Sequence, residues 1–329
     1  MMLPTELGKR ESMKLQMISI LDRWTRAPLW TGEAASLGDA VVRAIAVGVN
    51  LTGADLTDAD LTGADLRDAV MRLAVLTRVN LTGANLAGVN LANTDLAGVN
   101  LTGAVLAGVN LTGAVMRRVN LTGANLTNVN LTNTDLTDAV LTRADLTNAN
   151  LAGTVLARAV LTGADITGAD LTNTDLTNAN LTGTVLTRAV LTGADLTGVD
   201  LTGVILAGAN LTRVDLASAD LAQSREDVEA VLALAPNEVP GLLLALREGR
   251  IDGSCYYGDR AGLVGTIANL RGTEHFGLGD LRPDPDRPAE RWFMAIRPCH
   301  TPERNQIVSI TISWIEAWQS ARAAASVQP

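Results

Sequence analysis

Four side chains in this sequence could carry nucleophilic or metal chemistry, and all four lie beyond residue 250: Cys255, His275, Cys299 and His300. Cys255 with His275 or His300 would make a thiol–imidazole pair, the arrangement that activates a sulfur nucleophile. No local nucleophile motif surrounds either cysteine, so structural or surface roles are the better reading. Cys299-His300 with His275 is too sparse for zinc, which wants four ligands at recognisable spacing. Gly277-Leu278-Gly279 lacks the strand–turn–helix setting of a phosphate loop. Trp292, Phe293, Trp314 and Trp318 read as a small core and not as a ligand platform. The expectation is a chain that does not catalyse and holds no cofactor or metal.

Composition narrows the classes further. Hydrophobic residues make up 47 % of the 329, aromatics only 3 % and charged residues 19 %. A core must therefore be built from Leu, Ala and Val. The net charge of −9 argues against direct nucleic-acid binding, which works through a basic stripe. Two cysteines are too few for a disulfide framework and point to a reducing cytoplasm. The N-terminal stretch has no continuous apolar segment of leader type, since Lys9, Arg10, Glu11 and Lys14 precede only the short run Leu15 to Leu21. No apolar run is long enough to cross a bilayer, so no membrane span is expected.

The dominant signal is a period of five. From Leu51 to Leu221 every fifth residue is Leu, with Met71, Met116 and Ile166 as substitutes, which gives 35 positions without an insertion. Ala, Val or Thr stands two residues before each. On an α-helix five residues advance a side chain by about 140° net, so the leucines would spray around the axis. On a strand an odd period sends alternate leucines to opposite faces. The chain must instead turn after every unit, so that four units close one square coil. The same repeat manufactures glycosylation-like triplets such as Asn50-Leu51-Thr52, which carry no information here.

The units L-T-G-A-D, L-T-N-A-N and L-A-G-V-N resemble the A-(D/N)-L-x-x repeat of the pentapeptide-repeat family over residues 49–222. That resemblance implies an all-β solenoid, a right-handed quadrilateral β-helix of about 8.7 coils, with Leu and the small residue two before it facing inward. Such a bore is a filled core, each buried Leu contributing roughly 1.5–3 kcal/mol before entropy.

Coil arithmetic assigns charges to faces. One face holds the units centred on Leu56, Leu76, Leu96, Met116, Leu136, Leu156, Leu176, Leu196 and Leu216. It carries eight of the tube's 16 aspartates, Asp55, Asp58, Asp95, Asp135, Asp138, Asp175, Asp195 and Asp215. It also carries four of the nine arginines, Arg78, Arg117, Arg118 and Arg158. Along the axis these alternate and then end in three aspartates with no Arg between them. Arg78, Arg118 and Arg158 recur at every second coil, as do Asn93, Asn133 and Asn173, a two-coil super-period. One reading is an axial ladder of exposed ion pairs worth about 0–1 kcal/mol each. The other is a charged docking face, most acidic at Asp175, Asp195 and Asp215. Asp55, Asp58, Asp60 and Asp65 could suggest calcium, but they span different faces and read as solvated acids. Inward Thr94, Thr134, Thr154 and Thr174 need a hydrogen-bond acceptor inside the tube.

Relatives in the family protect bacterial type II topoisomerases with an acidic rod that imitates DNA, so the resemblance brings DNA gyrase as an alternative partner. Charge density tests it. Stacked coils make the tube roughly 42 Å long at the usual strand spacing, and a duplex of that length carries about 25 charges. This tube carries 9 Arg against 16 Asp. No loop interrupts the repeat, Phe is absent from the Leu register, and a whole domain follows where topoisomerase protectors tend to end in a dimerising helix. A scaffold or spacer that binds a protein of unstated identity is the leading expectation. DNA mimicry is second, and a homodimer stays open.

The ends divide the chain. Residues 1–48 read as a cap, with a hairpin from Ile18–Trp24 to Leu29–Trp30 and a helix from Ser36 to about Val47, stopped by Gly48. Residues 49–222 are the tube. Residues 223–236 read as a capping helix with Ser224 at its N-cap and Asp227 three on. Residues 237–329 read as a small α+β domain, with a helix from Val239 to Gly249 and strands around 262–270, 291–297 and 306–314. The piece G-S-C-Y-Y-G-D-R-A-G-L-V-G-T-I-A-N-L-R-G, with R-P-A-E-R-W-F-M-A-I-R-P, is similar to an uncharacterised bacterial and phage domain, which brings no activity.

Overall fold

A computed structural model describes residues 14–67, 69–255, 258, 261–273, 278, 280–285, 287–303 and 305–325. The chain opens with strands β1 (Gln16–Asp22) and β2 (Pro28–Ala34), paired antiparallel with Ser19 opposite Thr31. Their turn is fastened by Asp22, whose Oδ1 accepts from the Thr25 N–H at 2.7 Å and the Trp24 N–H at 3.0 Å. Helix α1 (Leu37–Ala46) follows, with Ser36 Oγ accepting the Asp39 N–H and Gly48 at φ +74° just beyond its end. β1 also pairs with β3 (Ala54–Asp55) of the first coil, so the sheet order is β2-β1-β3. A Cβ on Gly38 would lie 1.8 Å from the Asp60 carbonyl oxygen, so α1 sits directly on the rim of that coil.

The tube is a stack of parallel bridges joining residue n to n+20, from Asp55 with Val75 to Asp200 with Asp220. Three hydrogen bonds join coil to coil along it, and a fourth closes each unit. Most Leu N–H groups donate to a carbonyl of the next coil, as Leu136 does to Val155 at 2.7 Å. The residue two after Leu donates in the same direction, as Asp138 does to Ala157. The residue before Leu donates to the previous coil, as Asp135 does to Ala114. Within a unit, the inward small residue donates to the preceding Leu carbonyl, as Ala139 does to Leu136 at 3.0 Å. Of the two residues between them the second takes positive φ, as a type II turn demands. Leucines and small residues fill the bore, nearly all fully buried. Thr134, Thr154, Thr174 and Thr184 lie inside and donate to the carbonyls of Leu111, Leu131, Leu151 and Leu161 at 2.8–2.9 Å. Thr94 Oγ1 has no hydrogen-bond partner among the described residues.

Helix α2 (Ala222–Leu234) leaves the last coil directly. Ser224 lies inside it and not at its N-cap, which is Leu221. Then come α3 (Val239–Arg247), α4 (Leu263–Arg271), α5 (Pro288–Phe293) and α6 (Gln306–Ala325). The strands expected at 262–270, 291–297 and 306–314 are therefore corrected: α4 and α6 fill the first and last, and α5 begins the middle one. Among the described residues the C-terminal region is helical and not α+β. The cause is visible in α6, where Ile307, Val308, Thr311, Ile312 and Ile315 are buried at helical spacing. β-branched residues favour strands by local preference, but tertiary burial of one helix face outweighs it.

Three contacts seat the helices on the tube end. Arg291 Nη1 donates to the Gly203 carbonyl at 3.1 Å, the Gly208 N–H donates to the Met294 carbonyl at 3.2 Å, and Arg297 donates to the Gly208 carbonyl.

Candidate docking face

Two rows of side chains make up the charged face. One row precedes the leucines and includes Asp55, Asp95, Asp135, Asp175, Asp195 and Asp215, each bridged to the residue one coil above or below. Its aspartates also serve the backbone: Asp175 Oδ1 accepts the Thr177 N–H at 2.9 Å and hydroxyl at 2.7 Å, and Asp195 and Asp215 accept from Thr197 and Ala217 at 2.9 Å. Such Asx turns let short carboxylates and amides stabilise the bend. The other row occupies the left-handed turn position and holds Asp58, Arg78, Arg118, Asp138 and Arg158, with φ between 57° and 62°.

The structure forms part of the expected ladder. Arg78 grips Asp58 one coil below through Nε at 2.6 Å and Nη2 at 2.7 Å, and Arg158 grips Asp138 through Nε at 2.7 Å and Nη2 at 3.0 Å. These guanidinium bonds hold both carboxyls below their usual range. Asp135 pairs diagonally with Arg117 of the previous coil. Burial there would raise its pKa, but bonds from Thr137 and then Arg117 lower it. Asp55 pairs with Arg26 of the hairpin turn at 2.6 Å, and its pKa is lowered first by the Thr57 hydroxyl and then by Arg26. Arg118 faces Asp138, which Arg158 already occupies, and has no ion-pair partner among the described residues. Asp95, Asp175, Asp195 and Asp215 likewise have no ion pair among the described residues.

The upper third of the face is thus uncompensated. Asp175, Asp195 and Asp215 are bridged in register, and the outward residues that follow them on that face, Thr177, Asn178, Thr197, Gly198, Ala217 and Ser218, are all uncharged. Asp215 also lines an open cleft of about 540 Å³ beneath the start of α6, with Arg213, Val214, Pro302, Asn305 and Gln306. Asn93, Asn133 and Asn173 point along the axis. Each places Oδ1 2.5–2.7 Å from where a Cβ would stand on the glycine one coil up, Gly113, Gly153 and Gly193.

The other candidates separate. Asp55, Asp60 and Asp65 bridge three different rows, and no metal-binding group of His, Cys, Asp and Glu exists among the described residues. Cys255 and Cys299 are free thiols. Cys255 lies 3.7 Å from Ser254 Oγ. His300 Nδ1 accepts the Arg297 N–H at 3.2 Å, and burial followed by Arg297 lowers its pKa. His275, Gly277 and Gly279 lie outside the described residues. Two features escaped the sequence reading. Inward Thr184 was legible in the register. Glu290, a buried carboxyl on α5, was not, because nothing local marks its burial.

The repeats match the family model "Pentapeptide repeats" in eight copies across residues 43–72 and 74–225. Among solved structures, HetL, a pentapeptide repeat protein involved in heterocyst differentiation regulation in the cyanobacterium Nostoc sp. PCC 7120, is 32 % identical. The match covers 56 % of this chain and 94 % of HetL, at TM-score 0.29. A pentapeptide repeat protein of the Arabidopsis thaliana thylakoid lumen is 30 % identical over 30 % of this chain and 68 % of that one, at TM-score 0.29. QnrB1, a plasmid-mediated fluoroquinolone resistance protein, is 18 % identical over 50 % and 89 %, at TM-score 0.24. Among curated protein sequences none shows significant similarity. The chain belongs to the pentapeptide-repeat family, and its repeat is that family's right-handed β-helix.

Proposed function

We propose that this protein is a non-enzymatic scaffold whose tube docks a protein partner on the upper part of its charged face, at Asp175, Asp195 and Asp215. One observation carries the reading: four of the five lower aspartates of that face, Asp55, Asp58, Asp135 and Asp138, are paired with Arg26, Arg78, Arg117 and Arg158, whereas Asp95 and these upper three have no ion pair among the described residues, and only the upper three follow one another without an intervening Arg. A partner offering Lys or Arg at the coil spacing would find unclaimed carboxylates beside an open cleft. The hairpin with α1, and the helices after Leu221, act as end caps that shield open coil edges from polymerisation. On that reading the boundaries fall at 48 and 222, and 236 closes the first capping helix after the tube. Free cysteines suit a cytoplasmic setting, and no helix among the described residues is long and apolar enough to cross a membrane.

The second reading, binding to DNA gyrase as a DNA mimic, draws on the same carboxylates. Supercoiling by gyrase, measured with and without a quinolone at micromolar protein, separates the two. Neither inhibition nor protection is expected; either effect, lost on Asp175→Asn with Asp195→Asn and Asp215→Asn, would establish the mimic instead. For the scaffold, partner capture by the full chain should fall in that triple variant and persist in Arg78→Gln with Arg158→Gln. Equal capture by both would remove the docking assignment.

A further inference from the structure

Two neighbouring helices in the C-terminal region start without a side-chain cap of their own, and each has a carboxyl from another helix at its start. Asp227 of α2 accepts the Ala289 N–H at the start of α5 at 2.9 Å. Glu290 of α5 meets the Val264 N–H at the start of α4. α5 is also the element that reaches the tube, through Arg291 to Gly203, with Met294 and Arg297 just beyond it on Gly208. Glu290 is 1 % exposed, and its Oε1 and the Nη1 of Arg287, one turn earlier, have no hydrogen-bond partner among the described residues. A buried carboxylate without full satisfaction is costly, whereas the neutral acid is tolerated.

We propose that Glu290 is a pH-sensitive latch that sets how firmly the helical region grips the end of the tube. The charged groups facing it are Arg287 at the start of its own helix, Asp227 from α2 and Asp284 from the preceding loop; α4 presents the Val264 N–H. Burial dominates and pushes the Glu290 carboxyl up to about 7, while Arg287 and Val264 pull it down and the two aspartates push it up. Below pH 4.5 the group is neutral whether the latch is open or closed. Between 4.5 and about 7 an opened latch ionises and a closed one does not, so rising pH favours opening. Above that the effect levels off.

The test follows hydrogen exchange of the Gly208 amide in the full chain, corrected for its intrinsic pH dependence, together with the carbon shift of the Glu290 carboxyl. Between pH 5.5 and 8 the opening constant of Gly208 should rise on the order of 30-fold. In Glu290→Gln it should change less than threefold. A Glu290 midpoint near 4.5, or an equal slope in wild type and Glu290→Gln, overturns the proposal. If the variant does not fold, the wild type decides alone: coincidence of the Glu290 titration with loss of Gly208 protection supports the latch, and separate midpoints refute it.

Discussion

Replacing Gly193 by alanine tests how the coils interlock. Gly193 has φ +71°, and a Cβ there would stand 2.5 Å from Oδ1 of Asn173, one coil below. Two costs follow. The left-handed conformation penalises any Cβ by about 1–2 kcal/mol, and turning the exposed Asn173 amide out of the way adds roughly 0.5–1.5 kcal/mol. Gly103 supplies the control, with φ +64° and nothing within 4 Å of its Cβ position. Gly103→Ala should therefore cost only about 1–2 kcal/mol, and Gly193→Ala about 1.5–3.5 kcal/mol by summing both terms. The double variant Asn173→Gly with Gly193→Ala removes the obstructing amide and should return most of the difference. Chemical denaturation of the three variants, with local opening followed by exchange at Leu176 and Leu196, measures this. Equal losses at Gly193 and Gly103, or no recovery in the double variant, would refute the idea that Asn–Gly stacking sets the axial fit.

The buried threonines should respond in opposite ways: Thr154→Val loses the bond to the Leu131 carbonyl and should cost about 1 kcal/mol, whereas Thr94→Val removes a hydroxyl without a partner and should be neutral or stabilising in the same melts. Asp65 is held at a pKa of about 2 first by the Arg67 side chain and then by the Arg67 N–H. Its contribution to stability is present above the unfolded value of 3.8 and lost as pH falls through about 2; in Arg67→Gln its titration, read by carboxyl chemical shift, should move back up. A double-mutant cycle on Asp138 and Arg158, both on the solvent side, should give a coupling under about 1 kcal/mol that shrinks with salt. Persistence of that coupling in concentrated salt would show a desolvated pair instead.

The tube was legible because its register leaves no freedom. Once Leu must face one axis in every unit, the inward partner, the turn position and the four rows follow. The ion pairs were only half legible. The coil spacing marks Asp58 with Arg78, but Arg117 reaches Asp135 on a diagonal, and Arg26 arrives from outside the repeat. Those pairings depend on where a long side chain swings, which no period records. Beyond Leu221 the first two helices were legible, but 262–270 and 306–314 read as strands because their β-branched residues speak for strands locally. Glu290 was invisible for the same reason in stronger form: three separate elements bury it, and a sequence shows neighbours along the chain and not across it.

The uniform bridge from n to n+20 makes this chain a threaded screw. Gaining or losing one whole coil slides everything above by one pitch and preserves every facing. Gaining or losing a single unit turns the upper part a quarter revolution against the lower. A single-unit deletion at Leu151–Val155 would carry Asp175, Asp195 and Asp215 off the azimuth of Arg78 and Arg118 and swing the helical region with them. Length and bearing are geared together, so repeat number sets which way the far end looks as well as how far away it stands.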